Sequence, residues 1–569
     1  MVRRIPLLLP VALLLASCDD HPAPTKALPT PAQDVPVANE IEEPPPPPPP
    51  TEQPEDVVEE VLIVESEAAP EAKKESAFDS NQWNSAVGVG GGAGGSFGGR
   101  SGRRRAMRLD GGDAESYAEV DASGYLTPEA SPLSTFAADV DTASFTNAHR
   151  ILRDGERPPT TAIRVEEFVN ACRYDLPTPT GRTTFAIESE VAACPWNAER
   201  ELVRFSLSTR AIDKDKLPPC NFVFLIDVSG SMRNADKLPL LQKASDLLID
   251  QLRPQDTVSI VTYANSVRVP LDSISGSEPG KIREAIQALR TSGGTNGQGG
   301  IQAAYELATK NKVQGVNRVL LATDGDFNVG IRDADELEEF IKARKEQGVF
   351  LTVLGFGTGN LKDDRLERLA NRGNGNYHYV DNLHTARRVL VEEFGAEMMT
   401  VAKDVKLQAE FHQGLVKRYR LLGYENRALA ARDFRDDKKD GGEMGAGHDV
   451  TALYEIERVA GAEAGDAPLA TLRVRYKPAE GDTSKEIAHE LPAPAGKPPA
   501  LSKNGHVAAT AAAVAMQLRD DEHRGSITPD LLAELAQGLD ADRNQELIAL
   551  VQQACKVLAE PAEGAGGQR

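Results

Sequence analysis

The sequence predicts an α/β protein: a doubly wound, mostly parallel sheet with a flanking β-rich unit and C-terminal helices, behind a disordered N-terminal tether. Three observations carry this expectation. Apolar runs at 222–226, 257–262, 319–323 and 349–354 are short and nearly continuous, as strands buried on both faces must be. Helical periodicity falls between them, at Ile282, Ala285, Ile286 and Leu289 and again at Ile301, Ala304 and Ala308. Before residue 130 the chain is rich in Pro, Glu, Gly and Ser, with little core patterning. At 569 residues, two or three domains plus linkers are expected.

Taken in order, residues 1–17 read as an export signal. Arg3 and Arg4 precede Ile5 to Ala16, an apolar stretch too short to span a bilayer as a mature helix. Its end, Leu15-Ala-Ser-Cys18, resembles a bacterial lipobox, which implies cleavage before Cys18 and lipidation of that residue. Several acyl chains on one Cys would anchor firmly, at about 0.8 kcal/mol per buried methylene. The expected location is the cell envelope, lipid-anchored and facing the periplasm, with inner or outer membrane left open. Residues 18–130 form the tether: seven prolines at 44–50 favour stiff polyproline II, and 86–102 are mostly Gly and Ser. The net charge of −22 argues against a nucleic-acid partner. Five arginines between Arg100 and Arg108 read as a solvated basic linker.

Residues 131–217 are expected to hold a helix through Asn147 to Leu152, capped by Asp141 or Thr142, and a second over Ile163 to Cys172. Strands follow at Thr184 to Glu190 and Leu202 to Ser208. Asp139 and Asp141 resemble the opening of a phosphatase Asp-x-Asp-x-Thr motif, but Ala143 occupies the fifth position, so cap and turn is the reading. Outside the signal, Cys172, Cys194, Cys220 and Cys555 sit in an oxidising setting with their pairing open. Cys194 with Cys220 is the pairing to test first.

The central segment carries the chemistry. Phe222 to Met232 reads Phe-Val-Phe-Leu-Ile-Asp-Val-Ser-Gly-Ser-Met, an apolar strand ending in Asp227, Ser229 and Ser231. Thr295 lies in Ser-Gly-Gly-Thr-Asn, and Asp324 ends the apolar run that begins at Val319. Strand C-termini are where open α/β sheets place ligands. Two carboxylates and three hydroxyls make an all-oxygen set that suits a hard divalent cation. This constellation resembles the metal-ion-dependent adhesion site of von Willebrand factor A domains, over roughly residues 218–395 and with all five positions matched. The resemblance implies that Ser229, Ser231 and Thr295 bind magnesium directly, with manganese or calcium as alternatives, while Asp227 and Asp324 hold its waters. It also implies that a protein partner's Asp or Glu carboxylate completes the octahedron.

Other motifs do not hold up. Leu354 to Asn360 nearly matches a dinucleotide fingerprint but ends in Asn360, so it reads as a turn into a helix at 363–371. The strand ending at Asp227 leads into no Gly-x-Ser-x-Gly elbow and the chain has no His-x-x-x-His pair, so an enzyme is not expected, and His378 and His384 read as surface residues. Residues 396–500 are expected to be β-rich, with strands at 401–411, 415–422, 448–457 and 469–476 and a polar loop at 433–447. The two flanks are expected to combine into one sandwich around the central domain. Residues 501–560 are expected to be helical; Asp540 to Asn544 opens like a calcium loop but lacks its Gly and Glu, so it reads as a capped turn. The whole layout resembles bacterial A-domain lipoproteins with characteristic segments on both sides of the A domain. The function expected is a membrane-tethered binding protein, the alternative being an envelope scaffold whose metal is only structural.

Overall fold

The computed structural model describes residues 115, 117, 123–181, 183–213, 216–325, 334–358, 361–393, 399–439, 441–462, 465–479 and 481–559, all within one compact unit, Gly99–Arg569. The export signal, Cys18 and most of the expected tether lie outside the described residues. The folded chain starts earlier than 131: Leu126 exchanges backbone hydrogen bonds of 2.8 Å with Tyr419. Tyr125 bonds the buried Glu455 through its hydroxyl, with the guanidinium of Arg200 4.0 Å from its ring centroid. A lone aromatic in polar sequence gives no periodic signal, so this anchor could not be read beforehand.

The N-terminal flank contains β1 (Leu133–Ala137), α1 (Ala143–Arg153), α2 (Val165–Asn170), β2 (Phe185–Ala193) and β3 (Glu201–Thr209). The central domain follows with β4 (Cys220–Asp227), α3 (Leu238–Ile249), β5 (Thr257–Tyr263), β6 (Val267–Ser275), α4 (Pro279–Gln287) and α5 (Gly297–Lys310). It continues through β7 (Val316–Thr323), α6 (Ala334–Glu346), β8 (Phe350–Phe356), α7 (Asp363–Arg372), β9 (Tyr377–Val380) and α8 (Leu383–Arg387). Its sheet has the order β6-β5-β4-β7-β8-β9, parallel except for the β5–β6 pair. Every residue of β4 is buried. Side-chain alternation explains why: Phe222, Phe224 and Ile226 join one apolar layer with α3 and α4, whereas Val223 and Leu225 join the opposite layer with α5, α6 and α7. The antiparallel edge β6 was not anticipated, because most of it is exposed or half-buried and polar.

Beyond the central domain come β10 (Thr400–Phe411), β11 (Val416–Leu422), β12 (Ala428–Leu429), β13 (Gly442–Gly445), β14 (Asp449–Arg458), β15 (Pro468–Pro478) and β16 (Lys485–Pro492). They build two antiparallel sheets, β11-β14-β3-β2 and β12-β1-β10-β15-β16, with β13 also paired to β10. Each sheet mixes strands from before and after the central domain, so the flanks do combine into one sandwich. Phe136, Phe205, Leu407, Phe411 and Tyr454 meet in its core. The expected polar loop at 433–447 contains β13, whose four residues carry no strand signature. Three helices close the chain: α9 (Lys503–Arg519), α10 (Pro529–Gln537) and α11 (Gln545–Ala559). The alanine-rich α9 is buried nearly all round and packs with Leu202, Leu422 and Leu453 from the sandwich's outer face.

Charged groups join the lobes. Arg164, just before α2, bonds Glu167 and reaches Asp363 of α7 at 2.8 Å. Arg427 bonds Asp139 at 2.9 Å, Asp141 at 3.0 Å and Asn371 of α7 at 2.9 Å. Neither Asp141 nor Thr142 caps α1 with its side chain: Asp141 instead accepts the Tyr377 backbone N–H at 3.0 Å. His378, expected at the surface, is 3 % exposed. All four cysteines among the described residues are free. Cys194 belongs to the helical core and Cys220 to the central domain's core, so the pairing favoured for testing is absent.

The same junction holds Glu166, 1 % exposed, with no hydrogen-bond partner for its Oε2 among the described residues. Burial, then the charges of Glu425 and Asp139, push its carboxyl up to about 8, against about 4.3 in an unfolded chain. The folded protein therefore holds a proton that the unfolded chain releases. That stabilisation is full below about pH 4 and is lost as pH rises through 8. Glu166→Gln is expected to raise the melting temperature at pH 8 and to change it little at pH 5, measured by circular dichroism.

Candidate metal centre

The five residues singled out in the central segment occupy the C-terminal edge of the parallel sheet. β4 delivers Asp227, fully buried, into a turn in which the Ser229 backbone N–H donates to Asp227 Oδ1 at 2.8 Å. The Thr323 hydroxyl donates to Asp227 Oδ2 at 3.3 Å, which fixes the second oxygen. Ser229 Oγ and Ser231 Oγ stand 2.9 Å apart. The loop carrying Thr295 is stitched to this turn by its backbone: Ser292 N–H donates to Val228 O at 2.8 Å, and Gly230 N–H to Gly293 O at 3.0 Å. Gly293 has φ +71°, and a Cβ there would collide with the Asn265 side chain, so glycine is required for this approach. Asn265 Oδ1 accepts the Gly294 N–H at 2.6 Å, and Asn296 caps α5 through Gly299 N–H. Thr295 thus sits between two pinned positions and is itself half-buried.

Asp324 follows β7 and is 1 % exposed. Its Oδ2 accepts from Lys237 Nζ at 2.9 Å, and both side chains are buried. Burial pushes the Asp227 carboxyl up to about 6, and the Asp324 charge adds to this, while the Ser229 hydrogen bonds act in the opposite direction. A pair of buried carboxylates with one ammonium leaves an excess of negative charge at the rim.

Four of the five residues come together by direct hydrogen bonds or strand adjacency, and Thr295 by the loop that carries it. Cys18 lies outside the described residues. The donor set fits a hard divalent cation. An octahedron with metal–oxygen bonds of about 2.0–2.1 Å has neighbouring oxygens about 2.9 Å apart, and the two serine hydroxyls already have that spacing. Among the described residues no group of three or more His, Cys, Asp or Glu is arranged to hold a metal, so any cation held here depends on hydroxyl oxygens.

Sequence reasoning missed Lys237. The available signal was its place immediately before α3, where a cation opposes the helix dipole and therefore needs an anion nearby.

The von Willebrand factor type A domain family model matches residues 221–391, and models described as von Willebrand factor and as the C-terminal part of Uncharacterized protein YfbK match 112–204 and 396–557. The chain is 40% identical over 401 residues to Uncharacterized protein YfbK of Escherichia coli (strain K12), covering 68% of this chain and 69% of that one. It is 26% identical over 224 residues to Uncharacterized protein sll0103 of Synechocystis, covering 39% of this chain and 52% of that one. Among solved structures, a von Willebrand factor type A protein from Catenulispora acidiphila aligns with a TM-score of 0.39 at 17% identity, covering 62% of this chain and 86% of that one.

Proposed function

The chain belongs to the bacterial von Willebrand factor type A domain proteins, and from that membership we propose that it is an envelope-tethered binding protein that captures a protein partner through a divalent cation. Domains of this type often mediate protein–protein contact. The observation that carries the finer reading is the meeting of Asp227, Ser229, Ser231 and Asp324 at the sheet's rim beside the Thr295 loop. Ser229, Ser231 and Thr295 would hold magnesium through neutral oxygens, and Asp227 and Asp324 would orient its waters. The bound cation supplies attraction for a partner carboxylate.

A groove of about 880 Å³ opens between β6 and α4, reaching Val228 and Ser292 behind the site. Arg268, Lys281 and Arg290 line it against one acid, Glu284, on a chain that is acidic as a whole, and this net positive lining favours an acidic partner segment. In this proposal, lipid on Cys18 holds the protein at the membrane surface and the segment between Cys18 and the folded part sets its reach.

The test is retention of envelope proteins on the immobilised chain in magnesium, followed by elution with a chelator and mass spectrometry. Elution of a partner specifically by chelation is expected. A partner that stays bound after chelation would instead favour a scaffold whose metal is structural. Thr295→Ala is expected to weaken that retention by about tenfold while the fold is unchanged by circular dichroism.

A further inference from the structure

Lys237 is an unusual neighbour for a cation site. Its ammonium lies 2.9 Å from Asp324 Oδ2, with the two side chains 5 % and 0 % exposed. The stem that reaches there is held on several sides. Lys237 N–H donates to Asn234 O at 3.0 Å, and its carbonyl accepts from Leu241 N–H at 2.9 Å. Its methylenes run across Gly357, at φ +76°, where a Cβ would overlap Cγ, Cδ and Cε. Three elements therefore converge on this ion pair: the start of α3, the end of β7 and the turn after β8. Its position is set by the fold, unlike that of a surface lysine that happens to reach a carboxylate.

Charge counting shows what such a residue does. Asp227, Asp324 and Lys237 sum to −1, and a divalent cation brings the centre to +1. Without the lysine the same states are −2 and 0. The ammonium thus opposes entry of the cation, because both are positive and share Asp324 in a buried setting where charges are poorly screened. Once the cation is in place, the residual +1 is a charge that one partner carboxylate neutralises. Lacking Lys237, a bound carboxylate would leave the site at −1.

We propose that Lys237 is the resident cation of this site, weakening divalent metal binding while giving the loaded centre the net positive charge that selects an anionic ligand. The proposal rests on the metal-binding reading above. It assigns Lys237 a positioning and charge-setting role on the protein side of the site.

The experiment titrates the full chain with manganese alone, followed by electron paramagnetic resonance of the free ion, for wild type, Lys237→Met and Lys237→Gln. Glutamine keeps a polar end if methionine proves disruptive, and circular dichroism reports the fold of each. Both variants are expected to bind manganese about tenfold or more tightly than wild type. Acetate added to the manganese-loaded proteins is expected to bind wild type more tightly than either variant. Manganese binding seen only in the variants also supports the role. Equal or weaker manganese affinity in both folded variants, against a wild type that binds, overturns the role of Lys237 alone. No saturable binding in any of the three overturns the metal reading, and this proposal with it.

Discussion

Asp227→Ala is expected to lower magnesium affinity by roughly 10–100-fold, the range seen when a group that orients a metal's ligands is removed. Asp227 is fully buried, and its Oδ1 holds the Ser229 backbone N–H at 2.8 Å while Oδ2 takes the Thr323 hydroxyl. Removing it therefore frees the serine turn as well as deleting a charge. The fold should survive. Burial pushes this carboxyl up to about 6, so at neutral pH its charge is kept at a cost to the fold that alanine removes. Isothermal titration with magnesium chloride checks the affinity, and a cooperative thermal transition close to wild type checks the fold. A variant that binds magnesium as wild type does would remove Asp227 from the site.

Arg427→Ala is expected to destabilise the protein by about 3–5 kcal/mol, the cost of breaking a buried ion pair and leaving its partner charges uncompensated. One guanidinium bonds Asp139, Asp141 and Asn371, tying the first flank to α7 of the central domain. Asp141 is already pushed well above the ordinary carboxylate range by burial and by the Asp139 charge, with Arg427 acting against both. Without the arginine the folded-state value rises further above the unfolded one. Stability is then lost as pH rises, so the deficit should be largest near pH 8 and shrink toward pH 5, where Asp141 can hold its proton. Urea unfolding at both pH values measures this. A loss below about 1 kcal/mol at pH 8 would show that the Arg427 pairs are not what holds the lobes together, leaving Arg164–Asp363 and apolar packing to do so.

Much of the central domain was legible because strands buried on both faces leave continuous apolar runs. β4, β5, β7 and β8 all fall where those runs lie. The exposed edges β6 and β16 were not, since a strand with one pairing partner and a wet face needs no apolar pattern. The clustering at the rim was readable for a similar reason: Asp227, Ser229 and Ser231 share one turn, so short spacing brings them together. Lys237 is also near in sequence, but its pairing with Asp324 depends on where α3 starts above the β7 edge. His378 looked like a surface residue and is buried, because β9 packs against α1, which lies far earlier in the chain.

By itself, the sequence determined the type of each lobe and the identity of the rim residues, since local periodicity and turn chemistry act over a few positions. Tertiary structure alone decided how the flanks interleave into a sandwich, which cysteines stay apart, and that an ammonium pairs with Asp324. Those outcomes depend on burial and charge between residues tens to hundreds of positions apart, and no local pattern encodes such distances.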